Sequence, residues 1–192
     1  MIKTGLYFGS FNPIHIGHLA IAGYMLEFTD IDQLWFVVSP QNPLKRKKSL
    51  LADYHRLEMV RMAIDDDARF RVSDIEFKMP KPSYTIDTLT YLEEKHPNQQ
   101  FSLIMGSDGL KTFNKWKHAD LITTKYHRYV YPRPGIDKEI LQAQGNITLV
   151  NAPMMEISSS FIRESIKNGK DVRYYLPEKV YTYIQEMHFY KK

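Results

Sequence analysis

The chain of 192 residues contains no cysteine. That excludes disulfides, thiolate nucleophiles and thiolate metal sites, and it fits a reducing compartment. No apolar run is long enough to cross a bilayer. Residues 1–8 lack the basic region and long apolar segment of a secretory signal. Charge of one sign is also scarce. The formal net charge is +4, which suits an anionic ligand and is too small to argue for nucleic acid. Neither GxxxxGK(S/T) nor GxGxxG occurs, so the standard P-loop and dinucleotide fingerprints are excluded. There are no repeats and no long low-complexity stretch. The expectation is a cytoplasmic single domain over 1–192, with no membrane or nucleic-acid partner, as a monomer or small homo-oligomer.

What is present is an alternation of strand-length and helix-length patterns. Apolar runs at 2–8, 33–38, 70–73, 101–105, 126–131 and 147–150 read as strands. They are mostly continuous, as expected for strands covered on both faces. Helical patterns fill 15–28, 53–64, 86–95, 138–144, 159–168 and 177–187. In the second of these, Tyr54, Leu57, Val60 and Ile64 recur at helical spacing. Gly169 reads as a helix stop and Pro177 as a first helical position. The order predicts an α/β fold with a doubly wound parallel sheet, helices on both faces, and a C-terminal helical extension over about 157–192. Ligands of such sheets bind beyond the carboxyl ends of the strands.

The segment GSFNPIHIGH over residues 9–18 follows the first strand. Gly9 permits a tight turn or a close ligand approach. Asn12 is suited to cap a helix, and Pro13 to its first position. His15 and His18 are three apart and share a helical face. Two imidazoles at a helix start, beside amide N–H groups and the positive dipole end, make an anion site. Gly17 between them leaves room for a flat or bulky group. A zinc pair is the weaker alternative, because no third ligand is near in sequence; two structural histidines are the plain one.

A second segment, ISSSFIR over residues 157–163, also opens a helix. One of Ser158, Ser159 and Ser160 suffices as a cap. Three hydroxyls with Arg163 one turn on could instead hold phosphates. Residues 40–49 (PQNPLKRKKS) follow a strand end and carry the basic run 45–48. They read as a solvated loop or as a basic loop over a phosphate site.

These segments resemble the motifs of one superfamily. GSFNPIHIGHL resembles the (T/H)xGH signature of the nucleotidyltransferases, and ISSSFIR resembles their closing ISSTxIR. Within that superfamily, nearly the whole chain is similar to the bacterial nicotinate-nucleotide adenylyltransferases. The segment 83–89 (SYTIDTL), Met105-Gly106-Ser107-Asp108 followed by Trp116, Arg133-Pro134-Gly135, and residues 166–184 with their YLP connection all match. Asn12 stands where the family has Asp, Leu44 where it often has His, and Ser160 where it has Thr.

The resemblance implies a Rossmann-like fold and adenylyl transfer from ATP to nicotinate mononucleotide, with Mg2+ carried on the ATP. It implies His15, His18 and Arg163 as the catalytic donors. ATP would meet Gly9, Ser10, Phe11, His15, Gly17, His18, Asp108, Ile157, Ser158, Ser159, Ser160 and Arg163. The mononucleotide would meet Lys45, Tyr84, Thr85, Trp116, Lys117 and Arg133, with Thr85 and nearby amides on the pyridine carboxylate and Trp116 stacked on the ring. Lys117 would act through its backbone N–H. No protein ligand set for a metal is expected. Amide-bearing mononucleotides and phosphopantetheine are the alternative acceptors. A non-catalytic nucleotide-binding module and an RNA-binding protein are the rivals of another kind.

Overall fold

A computed structural model describes residues 1–40, 50–134 and 145–191. Lys45, the basic run, Gly135 and the helix expected at 138–144 lie outside the described residues.

Six strands form one parallel sheet in the order β3-β2-β1-β4-β5-β6. They are β1 (Ile2–Gly9), β2 (Gln33–Val38), β3 (Phe70–Ser73), β4 (Gln99–Gly106), β5 (His127–Tyr131) and β6 (Ile147–Leu149). The helices among the described residues are α1 (Ile16–Phe28), α2 (Asp53–Ile64), α3 (Thr85–Lys95), α4 (Ser107–Phe113), α5 (Ala119–Lys125), α6 (Ser159–Lys167) and α7 (Glu178–Glu186). Among the described residues, 3-10 turns lie at Ile75–Lys78 and Arg173–Tyr175.

The central strand segments are buried on both faces: all of β2, residues 4–7 of β1, 101–106 of β4 and 128–131 of β5, while the edge strands β3 and β6 are only partly covered. Alternate residues of β1 and β2 enter different cores. Tyr7, Leu34, Phe36 and Val38 pack with Ile21 and Met25 of α1, Val60 of α2, Ile162 of α6 and Ile184 of α7. Leu6, Trp35 and Val37 pack with Leu89 of α3, Phe113 of α4 and Ile122 of α5. Side chains alternate across a strand, so one continuous apolar run feeds both layers. The segment after residue 157 adds its helices to the first core rather than forming a core of its own.

Strand and helix limits agree with expectation to within two residues, and β2, β3 and α2 coincide with it at both ends. α4 and α5, seven residues each, were not expected from periodicity, because two turns are too few to display one. The Gly169 stop is a Schellman arrangement: Gly169 has φ +69°. Its N–H donates to the Ile166 carbonyl, and the Lys170 N–H to that of Ser165, each at 2.9 Å. Pro177 is the N-cap of α7, one position before the expected place.

From β1 the chain winds outward through β2 and β3, then returns to place β4 on the other side of β1. The strand order therefore reverses between β1 and β4. In sheets of this kind the ligand crevice lies at that reversal, here outside the carboxyl ends at Gly9 and Gly106.

Candidate active site

The loop leaving β1 does not build its helix as the sequence suggests. α1 begins at Ile16 with His15 as N-cap, so Asn12 and Pro13 do not hold the capping and first positions. Asn12 is buried, and long-range partners claim it. Its side-chain oxygen accepts from the Leu51 N–H at 3.3 Å and from the Tyr190 hydroxyl at 2.8 Å. Phe11 has φ +42°, and its ring turns inward. It lies against Tyr7, Phe36 and His18, with the His18 ring 5.1 Å away edge to face. A side chain on Gly9 would strike that ring, since a Cβ there would lie 2.7 Å from it. Phe11 is thus a floor beneath the site, and only its backbone is available to a ligand.

The two histidines sit together above this floor. Their rings stack with centroids 3.7 Å apart. The His15 N–H donates to Nδ1 of His18 at 3.3 Å. An accepting Nδ1 places the proton of the neutral His18 ring on Nε2. His15 is 3 % exposed. Burial, aided by the nearby Arg133 charge, holds it down to about 4 from an ordinary 6.5. His15 is therefore neutral at physiological pH and acts as a hydrogen-bonding group, not as a cation. Gly17 does leave room, but the His15 ring occupies it. A Cβ on Gly17 would come within 3.1 Å of that ring.

The three serines of α6 do three different things. Ser158 is the cap, accepting from the Phe161 N–H at 3.1 Å. Ser159 donates to the Pro13 carbonyl at 2.8 Å. Ser160 accepts from Arg163 at 3.2 Å. Arg163 donates its other terminal nitrogen to the Asn12 carbonyl at 2.8 Å. The start of α6 is thereby joined to the β1 loop, and Ile157 packs at the rim of the first core. Ser10 is half-buried, with its carbonyl turned to Arg56.

On the β4 side, Asp108 is exposed in the first turn of α4. A Cβ on Gly106 would collide with its carboxylate. Arg133 stands beside it, close enough for their charges to interact. Its N–H donates to Ser107 Oγ at 2.9 Å, and its guanidinium lies 5.3 Å from the Tyr131 ring. Arg133 also neighbours His15. It stands with the histidines and Asp108 at the crevice.

The other described residues expected to meet the mononucleotide lie at the start of α3 and after α4. Tyr84 is the N-cap of α3 and Thr85 its first residue. Lys117 reaches across to them: its ammonium donates to Asp87 at 2.9 Å and lies 4.9 Å from the Tyr84 ring. Its side chain, and not only its backbone, is therefore engaged. Trp116 is half-buried on Phe113, with ring centroids 5.3 Å apart. It lines a shallow cleft with His118, Ala119 and Thr123. Tyr84 and Thr85 do not line that cleft.

Among the described residues no three His, Asp or Glu side chains gather in a way that could hold a metal ion. The donors at the crevice are N–H groups, suited to phosphate oxygens. A divalent ion there would be held chiefly by phosphate and water, with Asp108 as the neighbouring carboxylate.

Residues 6–165 match the family described as Cytidylyltransferase-like. A protein of Flavobacterium johnsoniae, described as "Probable nicotinate-nucleotide adenylyltransferase", is 52% identical over the full length of both chains. One of Bacteroides fragilis with the same description is 48% identical over 95% of this chain and 90% of its own. This chain belongs to the nicotinate-nucleotide adenylyltransferase family. The fold agrees with that membership. The Plasmodium falciparum nicotinic acid mononucleotide adenylyltransferase complexed with NaAD superposes with a TM-score of 0.83, at 24% identity, over 99% of this chain and 98% of that one. Its complex with APC gives 0.82 at 23% identity, with the same coverage.

Two residues at this family member's site escaped sequence reasoning. Arg56 is fully buried and donates to the carbonyls of Leu51, Ser10, Ser39 and Pro40, and to Asp53. It gathers the chain leaving β1 and the chain leaving β2 onto α2. Tyr190 holds Asn12 from the far end of the sequence. Arg56 reads in the sequence as a helix charge three residues from Asp53, and Tyr190 as one tyrosine among 13. Neither carries a local signal.

Proposed function

We propose that this chain is an enzyme that joins ATP and nicotinate mononucleotide to give nicotinate adenine dinucleotide and pyrophosphate, a step of NAD biosynthesis. A phosphate oxygen of the mononucleotide attacks the α-phosphorus of ATP. The bond from that phosphorus to the oxygen bridging toward the β-phosphate breaks, and the electron pair leaves with pyrophosphate. The attacking phosphate is already ionised at neutral pH, so no protein base or nucleophile is required.

The chemistry then rests on alignment and on charge stabilisation. His18 presents its Nε2–H to the α-phosphate. His15 and Arg163 serve the β- and γ-phosphates, one as a neutral donor and the other as a permanent cation. The backbone of Gly9, Ser10 and Gly17 and the first amides of α1 offer N–H donors to the phosphates. Magnesium arriving on the triphosphate would neutralise the departing pyrophosphate. Thr85 and the amides opening α3 receive the pyridine carboxylate, Trp116 offers a ring face, and Lys117 with Tyr84 borders them. Arg133 and Asp108 orient the groups between the two halves.

The observation that carries this reading is the stacked His15–His18 pair at the point where the strand order reverses, in a chain 52% identical over its full length to its Flavobacterium johnsoniae relative. The test is pyrophosphate release with ATP and magnesium, comparing nicotinate mononucleotide, nicotinamide mononucleotide and phosphopantetheine. Strong preference for the nicotinate form is expected. Preference for the amide would overturn the pocket at Thr85, and no release from any of them would overturn the reaction.

A further inference from the structure

The loop that carries the histidine pair is tied down from three directions. Arg56 of α2 holds the Ser10 carbonyl. Arg163 and Ser159 of α6 hold those of Asn12 and Pro13. The third tie comes from beyond α7, where the Tyr190 hydroxyl donates to Asn12 Oδ1 at 2.8 Å across 178 residues. The same oxygen also accepts from the Leu51 N–H at 3.3 Å, and Asn12 is 2 % exposed, so bulk water is poorly placed to replace the Tyr190 bond if it is lost.

Tyr190 is itself held in place. His188 and Tyr190 have φ of 56° and 63°, a region that residues with a Cβ occupy only where their surroundings enforce it. The enforcement falls on Phe189 between them. Its ring lies 4.6 Å from that of His55 and 5.7 Å from that of Tyr183. Its N–H donates to the Ile184 carbonyl at 3.1 Å. With Phe189 anchored against α2 and α7, the next side chain is directed back to the β1 loop.

We propose that Tyr190 is a positioning residue of the adenylyl-transfer site, its hydroxyl fixing Asn12 and thereby the path of the chain into His15 and His18. The proposal rests on the reaction given above. Asn12 lies only three residues before His15. A reaction driven by alignment is sensitive to small displacements of its donors. The tie therefore makes the geometry of the phosphate site depend on a segment that supplies none of the phosphate donors assigned above.

Tyr190→Phe keeps the ring and deletes the hydroxyl. The expected result is a fall in kcat of about fivefold to tenfold, the effect of a small misplacement of aligned donors, for which a full 1 Å can cost about 100-fold. KM for nicotinate mononucleotide should stay within about twofold. A thermal melt should show the variant folded at the assay temperature, which separates the effect from simple unfolding. In an Asn12→Ala background the same substitution should cost nothing further, because the hydroxyl acts through Asn12. Without substrate, the imidazole NMR signals of His15 and His18 should move in Tyr190→Phe, while that of His127 on β5 stays.

Unchanged kcat, an equal loss in both backgrounds, or unmoved His15 and His18 signals would each overturn the proposal. A wild-type protein that releases no pyrophosphate would instead overturn the reaction. The imidazole signals then decide the positioning role on their own.

Discussion

The backbone N–H of His15 donates to Nδ1 of His18 at 3.3 Å, so the first histidine of the pair sets the tautomer of the second. The two rings are stacked, yet they are not equivalent. His15 is buried and neutral, while His18 is half-buried and turns its protonated nitrogen away from the donor.

His18→Ala should lower kcat by about 100-fold to 1,000-fold, the usual effect of removing one preorganised donor from a developing charge. The thermal midpoint should change little. Pyrophosphate release and a melt on the same preparation check both parts, and turnover near that of the wild type would remove His18 from the chemistry.

The stability of the fold should depend on His15 in acid. Its ordinary value is 6.5 and burial holds it down to about 4. Between those values the unfolded chain binds a proton that the folded chain refuses, so stability falls as pH drops through that window and is undiminished above it. Thermal midpoints from neutral pH down to 4 should fall more steeply for the wild type than for His15→Gln. Parallel curves would contradict this origin.

Gly17→Ala should separate activity from stability. Alanine is the better helix residue by up to about 1 kcal/mol, but its Cβ would press within 3.1 Å of the His15 ring. The expected outcome is a large loss of kcat with a thermal midpoint unchanged or raised. Steady-state kinetics beside a melt measures it.

Arg56→Lys should destabilise the protein by about 2–4 kcal/mol, within the range for breaking a buried hydrogen-bond network. A single ammonium cannot span the acceptors that the guanidinium reaches at Ser10, Ser39, Leu51 and Asp53. Urea denaturation should show a lower midpoint, and kcat should fall because Ser10 opens the histidine loop.

Trp116→Ala should raise KM for nicotinate mononucleotide far more than KM for ATP, since the ring is assigned to the pyridine half. Varying each substrate in turn tests this. Equal increases would mean that Trp116 serves packing on Phe113 alone.

The features legible in the sequence are those written in neighbouring residues. Continuous apolar runs marked the central strands β1, β2 and β4, because a strand buried on both faces needs no polar alternation; the partly exposed edge strands β3 and β6 gave only short runs. Gly169 marked the end of α6, because a left-handed backbone at that position favours glycine. The histidine and serine segments stood out because each gathers its donors within one or two helical turns.

Other assignments waited on tertiary structure. Asn12 has the chemistry of a cap, but its side-chain oxygen answers Leu51 and Tyr190, 39 and 178 residues away. Arg56 became a hub only when the ends of β1 and β2 arrived beside α2. Arg133 came beside the histidines through the pairing of β5 with β4. The sequence by itself determined the elements and the donor types, which depend on local backbone preference and side-chain chemistry. The tertiary structure decided which donor meets which acceptor and that the His15 imidazole stays neutral, because desolvation and long-range hydrogen bonds exist only once distant segments are packed together.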